Sequence, residues 1–519
     1  MPVLTPAAAG ELPRDHFVLF PFMSKGHTLP LLHFATALSS LGALVTIITT
    51  PANVPFIRRH IFSSARAVRL IVLPFPSHPD LPAGVESTDS LPSISLFPSF
   101  LAATTLLQAP FLRHFRLLLR SPNRPLCLVS DFFLSWTFPI CRRFRLPRLA
   151  FHGMSAFSMS LSKALWLNLP AVSGDDEPFS VPGTPPDFRL TMAEVPVSIR
   201  KSVDPLDPES QFLNEAGPSD VQSWGILVNS FAELEHPMFV ELLESFYRSA
   251  GGGRAWLVGP LSLLGGSDAL DTAESAPESD SLRWLDRQLP GSVVYVSFGT
   301  QADVSSGQLD ELAHGLVRAG FPFIWAVRAQ TWDPPEEAMS KLSQVGRIER
   351  GWVPQAQLLR HVAIGGFVSH CGWNSVLEAA TSGVPLLAWP MMAEQYVNAK
   401  MVVDDLQIGV RLATPPPVAA AAEAAVLGRR AVEEGLRELM GGEKGRRARE
   451  RAAEVAAMAA AAVAEGGSSN RTLGKLLEAL REAQDPAEVV VVEGSEAEAV
   501  EMEAKMVEWE WQDGIQMAM

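Results

Sequence analysis

Cysteine is almost missing from this chain. Cys127, Cys141 and Cys371 are the only three in 519 residues, too sparse and too irregular for a disulfide framework or a metal-ligand spacing. A reducing location, the cytoplasm, is expected. Long hydrophobic runs are missing too: no stretch of about eighteen apolar residues occurs, so no membrane span is expected. The opening MPVLTPAAAGELPRD has no basic segment followed by an apolar core, the pattern of an export signal. Positive charge is in deficit, with 42 Lys and Arg against 57 Asp and Glu and a net charge of −15. A nucleic-acid partner would favour the opposite balance. The pattern GxGxxG occurs nowhere, which removes the signal for a nicotinamide or flavin cofactor.

What is present reads as an ordinary globular protein, 47% hydrophobic and 19% charged, too long for one core and long enough for two domains. The amino half opens with an apolar strand from Phe17 to Phe22. A loop from Met23 to His27 follows, then a helix carrying Leu31, Leu32, Phe34, Ala35 and Leu38 that ends at Gly42. Further apolar runs at Val45–Thr49, Leu70–Leu73, Leu126–Ser130 and Gly225–Val228 read as strands. Ser230 with Glu233 has the form of a capping box opening a helix. A second series starts with the strand Val293–Phe298 and the turn Gly299–Thr300. Ser305 and Gln308 then cap a helix bearing Leu309, Leu312 and Leu316, and Phe323–Val327 is the next strand. Strands alternating with helices imply parallel sheets, so the expected fold class is α/β: two Rossmann-like halves facing each other across a cleft.

The densest chemistry lies between Trp352 and Gln395, in WVPQAQLLRHVAIGGFVSHCGWNSVLEAATSGVPLLAWPMMAEQ. Trp352 offers a flat indole on which a base could stack, and Gln355 an amide to pair with its edge. The buried strand Gly366–Ser369 runs into His370-Cys371-Gly372-Trp373-Asn374-Ser375, a turn into a helix. Gly372 allows a tight turn and close backbone approach, and the first N–H groups of the helix lack intrahelical partners. Phosphate oxygens there meet free donors and the positive end of the helix dipole, with His370, Asn374 and Ser375 as side-chain donors. Glu378 shares a helix face with Asn374 and Ser375 and could accept from a ribose diol. The helix should stop near Gly383, ahead of Pro385 and the strand Leu386–Trp389, whose carboxyl end delivers Glu394 and Gln395. Packing of a βαβ unit could account for Trp352, Trp373 or Trp389 singly, but it does not call for this ordered set of polar residues.

The stretch resembles, from first position to last, the signature of the plant secondary-product glycosyltransferases, family 1 UDP-glycosyltransferases of the GT-B fold, and similarity extends over residues 15 to about 480. The resemblance implies stacking of uracil on Trp352, with Gln355 and the Val353 backbone at the base edge. It implies phosphate contacts by His370, Asn374 and Ser375 and a ribose contact by Glu378. Trp373, Glu394 and Gln395 would then meet the sugar hydroxyls, Gln395 favouring glucose. Glu394 departs from the Asp more common at that position. The implied organisation is an acceptor-binding domain over 1–255, a linker over 256–285 and a UDP-sugar domain over 286–466. A final helix over 467–484 would return to the first domain. The acidic extension over 485–519 holds ten acidic side chains against one Lys and reads as a solvated tail.

Sugar transfer to a hydroxyl needs a base, and His27 is the candidate. It lies in a loop ahead of a helix, where the dipole should keep the imidazole neutral. Asp131, just after an apolar strand of the same sheet, is the available carboxylate to fix its tautomer, and the family's catalytic dyad falls on these two residues. His33 is expected to be structural and His16 solvated. Helix N–H groups, His370, Ser375 and Thr300 would stabilise the leaving diphosphate without a metal. In-line attack would invert the anomeric configuration. Ser93–Leu101 and Phe151–Met154 are aromatic and apolar, suited to a flat phenolic acceptor such as a flavonoid, though residue types alone do not separate such a pocket from core. UDP-glucose is then a co-substrate, no cofactor is called for, and a monomer is expected. A non-catalytic carrier or sensor on the same fold is the alternative.

Overall fold

A computed structural model of the chain describes residues 15–61, 67–201, 204, 206–264, 280–302, 304–328, 332–351, 353–412 and 426–484. Trp352, the linker residues 265–279, the run Pro415-Pro416-Pro417 and the acidic tail lie outside the described residues. Among the described residues thirteen strands form two sheets. In the first lobe these are β1 (His16–Phe20), β2 (Leu44–Thr49), β3 (Val68–Val72), β4 (Cys127–Asp131), β5 (Arg148–Phe151), β6 (Gly225–Val228) and β7 (Ala255–Leu257). The second lobe holds β8 (Val293–Ser297), β9 (Phe323–Val327), β10 (Gly346–Arg350), β11 (Ile364–Ser369), β12 (Leu386–Ala388) and β13 (Gly409–Arg411). The first sheet runs β3-β2-β1-β4-β5-β6-β7 and the second β10-β9-β8-β11-β12-β13, with every pairing parallel.

The strand runs are continuous rather than alternating because helices cover both faces of each sheet. Val18, Leu19 and Phe20 of β1 and Val294, Tyr295 and Val296 of β8 are all fully buried. Strand order reverses between β1 and β4 in one sheet and between β8 and β11 in the other. Open parallel sheets bind ligands at such reversals, beyond the carboxyl ends of the strands. The sequence-predicted residues follow those four strands: His27 after β1, Asp131 at the end of β4, Thr300 after β8, and His370 to Ser375 after β11.

The helix Ser468–Glu482 presents Leu473, Leu476 and Leu480 to the first lobe, where they pack in one cluster with Phe17, Leu31, Leu38 and Val45. Ser469 Oγ donates to the Gly259 carbonyl at 2.5 Å. Residues 256–264, expected to begin the linker, are structured instead: they complete β7 and form the short helix Leu261–Leu264. Two more expectations fail locally. Ser230 and Glu233 do not open a helix; the next one starts at Pro237 with His236 as its cap. Glu235 instead accepts from the N–H groups of Ala156 and Phe157, at 2.9 and 3.0 Å, at the start of the Ala156–Leu167 helix. His16 is buried rather than solvated, because β1 is a central strand. Its Nδ1 donates to the Asn123 carbonyl and its Nε2 meets the Thr46 hydroxyl, both at 2.8 Å, and burial pulls its pKa down to about 4. Burial does the same for His33, also to about 4.

Candidate functional site

Ser24 ends an extended segment and caps the Lys25–Ser40 helix, which places His27 in the first helical turn. Asp131, fully buried, ends β4. Its Oδ1 accepts from the Phe133 N–H at 3.0 Å, and its Oδ2 accepts from His27 Nδ1 at 2.7 Å. With Nδ1 carrying the proton, Nε2 is left as the basic nitrogen, and among the described residues it has no partner. Arg148 braces the main chain at the end of this strand: its Nη2 donates to the Asp131 carbonyl at 3.1 Å and its Nε to the Ser130 hydroxyl at 2.8 Å. The lowering of its pKa expected from the helix start does not prevail. Burial does oppose the imidazolium, but the charges of Asp131, Glu394 and Asp89 and the hydrogen bond to Asp131 outweigh it, so the pKa of His27 is raised.

Aromatic rings surround this imidazole. Phe22 and Phe133 lie 5.8 and 5.6 Å from the His27 ring, centroid to centroid, and Phe97 and Phe100 pack on Phe22 in turn. Phe100 and Phe22 are core, whereas Phe97 and Phe133 are half-buried. A methyl at Gly153 would sit 3.9 Å from His27 Nδ1, so the turn after β5 also borders this ring. The neighbouring His152 is occupied by Asp220 at 2.9 Å and stacks on Phe132.

In the second lobe the turn after β11 is left-handed at Cys371, φ 64°, rather than at Gly372. Gly372 is needed for another reason. A Cβ there would come 2.5 Å from His370 Nε2, and one at Gly299, where φ is 75°, would come 2.6 Å from the same atom. The two glycines thus seat the His370 ring, and burial lowers its pKa to about 4, so it is neutral. No side chain caps the Trp373–Ser382 helix, and its first N–H groups remain available to an anion. Thr300 is half-buried beside Gly299.

Gln355 does not reach outward toward a base edge. Its Nε2 donates to Ser375 Oγ at 3.0 Å and to Glu378 Oε2 at 2.6 Å, while its Oε1 accepts from the Tyr295 hydroxyl at 3.1 Å. Burial raises the Glu378 carboxyl to about 6 against the pull of Gln355 and Arg360. Trp373 is likewise turned away from a sugar: its indole is 2% exposed and its Nε1 donates to the Asn229 carbonyl at 2.8 Å, which leaves its main chain for any ligand contact. Val353 is half-buried and packs against the core. The Gln395 Oε1 accepts from the N–H groups of Met391 and Met392, each at 3.0 Å, closing the loop after β12 and leaving its NH₂ end to a ligand. Glu394 caps the Gln395–Lys400 helix, and burial raises its pKa.

Five hydrogen bonds, from four donor side chains, join the lobes at this place. Asn374 Nδ2 donates to the Gly26 carbonyl at 2.6 Å, one residue from His27. Trp373 reaches Asn229, as above. Gln301 donates to Ser24 at 3.2 Å and Thr88 at 3.0 Å, and Ser158 donates to Asn398 at 2.5 Å. Sequence reasoning missed Arg148, Gln301, Asn229 and Tyr295, whose partners lie far off along the chain. Asn398 alone carried a signal, three residues after Gln395 on the same helix.

Residues 272–414 match the family described as UDP-glucoronosyl and UDP-glucosyl transferase. A scopoletin glucosyltransferase from Nicotiana tabacum is 36% identical over 89% of this chain and 97% of its own. The UDP-glucose flavonoid 3-O-glucosyltransferase 7 of Fragaria ananassa is also 36% identical, over 90% and 96%. Among solved structures, Glycyrrhiza uralensis UGT73P12 complexed with glycyrrhetinic acid 3-O-monoglucuronide superposes with a TM-score of 0.79 at 31% identity, over 91% and 96% of the two chains. Phytolacca americana UGT2 complexed with UDP-2fluoro-glucose and pterostilbene gives 0.74 at 26%, over 90% and 100%. Two parallel-sheet lobes of the doubly wound kind, together with relatives matched over nearly their whole length, make this chain a plant family 1 UDP-glycosyltransferase of the GT-B fold.

Proposed function

We propose that the chain transfers glucose from UDP-glucose to a hydroxyl of a small, flat, phenolic acceptor with inversion, giving a β-glucoside. His27 Nε2 takes the acceptor's proton as the oxygen bonds to the anomeric carbon. The bond from that carbon to the phosphate oxygen breaks on the opposite side, and UDP leaves with the electron pair. Asp131 stabilises the imidazolium so formed. Charge growing on the diphosphate is met by the N–H groups opening the Trp373–Ser382 helix and by Asn374, Ser375, His370 and Thr300. Glu378 takes the ribose, and the Trp373 main chain, Glu394 and the NH₂ of Gln395 take the glucose. Trp352 and Val353 take the uracil.

The observation that carries this reading is the 2.6 Å bond from Asn374 to the Gly26 carbonyl. It ties the start of the anion-binding helix to the residue beside the base, so a hexose between them lies within reach of both. A phenolic acceptor is supported by the half-buried Phe97 and Phe133 near His27 and by the scopoletin and flavonoid glucosyltransferases among the relatives. Among the described residues no single helix is long and apolar enough to cross a membrane. The three free, buried cysteines suit a reducing cytoplasm, where we place the enzyme. The test is a UDP-release assay over a panel of plant phenolics, with the anomer read by NMR. A β-linked product is expected; UDP binding without turnover on any acceptor would favour a carrier, and an α-linked product would refute inversion.

A further inference from the structure

We infer that Tyr295 is a positioning residue for the ribose contact: its hydroxyl sets which way the Gln355 amide points, and through that amide the place of the Glu378 carboxylate. The inference rests on the reading of Glu378 as the ribose acceptor. Tyr295 lies in β8, sixty residues before Gln355, and is fully buried. Its neighbours in the strand, Val293, Val294 and Val296, are purely apolar. Its ring packs on Phe367 with centroids 4.9 Å apart, a contact a phenylalanine would make equally well. The hydroxyl adds nothing to that packing; it donates to Gln355 Oε1 at 3.1 Å and also meets the Ser297 side chain two residues on, whose hydrogen bond favours the ionised phenol and so comes as a donor, leaving the phenol proton to Gln355.

A glutamine amide has two unlike ends, and only one orientation satisfies this network. With Oε1 toward Tyr295, the NH₂ donates to both Ser375 and Glu378. Turned over, the amide would set its carbonyl oxygen against an ionised carboxylate, two acceptors face to face. Burial raises the Tyr295 pKa, so the phenol stays a donor. Tyr295, Gln355 and Glu378 thus form a chain in which a strand residue with no ligand contact holds the carboxylate that would meet the 2′- and 3′-hydroxyls. Such supporting bonds fix the geometry of the group they hold.

The test compares UDP with 2′-deoxy-UDP as inhibitors competing with UDP-glucose, in wild type, Tyr295→Phe, Gln355→Ala and Glu378→Ala. The ratio of the two inhibition constants depends neither on the fraction of folded protein nor on kcat. Glu378→Ala should collapse the preference for UDP. Tyr295→Phe should lose about two- to tenfold of that preference, the span of one net hydrogen bond. It should raise KM for UDP-glucose by a similar factor with kcat within about twofold, the pattern of lost ground-state binding. Combining Tyr295→Phe with Gln355→Ala should add nothing further, because both act on one chain of contacts. If Glu378→Ala leaves the preference intact, the ribose reading falls. If Glu378→Ala collapses it while Tyr295→Phe leaves it at the wild-type value, or if the double variant is additive, this inference alone is overturned.

Discussion

Replacing Asp131 by Asn isolates the charge of the dyad from its shape. Asn keeps a carbonyl oxygen for the Phe133 N–H that Oδ1 now binds at 3.0 Å, so the turn after β4 should survive. What is lost is a charge-assisted bond to His27 Nδ1 at 2.7 Å, made by a fully buried carboxylate. Such a bond contributes about 1.5–3 kcal/mol, and at about 1.4 kcal/mol per decade this predicts a fall in kcat/KM of roughly ten- to 150-fold. That range is a lower bound: with the amide oxygen held by the Phe133 N–H, the NH₂ faces Nδ1, the proton is forced onto Nε2, and the loss should approach about 10⁴-fold. The pH dependence gives a second, independent measure. His27 must be neutral to accept a proton, so activity is lost as pH falls through its pKa, which the carboxylates hold above 6.5 in the wild type. Without the Asp131 charge, burial gains weight and the acid limb should move to lower pH. Initial rates of UDP release from pH 5 to 9, with thermal melts as a control on folding, measure both effects. A variant within about threefold of wild type with an unmoved acid limb would refute the dyad.

Three further outcomes are expected. Changing His27 to Ala should cost about 10²–10⁴ in turnover while UDP affinity, measured by calorimetry, stays nearly constant; turnover within about tenfold of wild type would exclude it as the base. UDP-glucose binding should weaken as pH falls through about 6, where Glu378 takes up a proton, and Glu378→Ala should bind weakly at every pH and show no such inflection in a fluorescence titration. Leu476→Ala in the final helix, at a fully buried position, should lower the unfolding free energy by about 2–5 kcal/mol in urea denaturation, since the helix buries its apolar stripe on the first lobe.

Much of the molecule was legible because the cues are local. Apolar runs of four to six residues, cut by glycine or proline, located β1, β2, β4, β6, β8, β9, β11 and β12 to within two residues. Ser305 and Gln308 marked the start of the Ser306–Ala319 helix, and Gly383, at φ 70°, marks the end of the Trp373–Ser382 helix. The capping motif at Ser230 misled because a chain tie won: Glu235 is drawn to the N–H groups of another helix 79 residues away. His16 misled because position before an apolar run does not reveal whether the strand will be central or at an edge.

The order of residues by itself determined the fold class and the helix start that can hold phosphates, since each depends on residue type and short-range spacing; the pairing of His27 with Asp131, 104 residues apart, followed from their places at one sheet edge and from the family resemblance. Tertiary structure decided the rest. It turned Gln355 inward to Glu378, buried the Trp373 indole against Asn229, and surrounded His27 with three carboxylates that raise its pKa. These outcomes depend on which groups meet across two lobes and on how much water is excluded between them. Electrostatic and hydrogen-bond energies follow distance and burial, and neither is written in the linear chain.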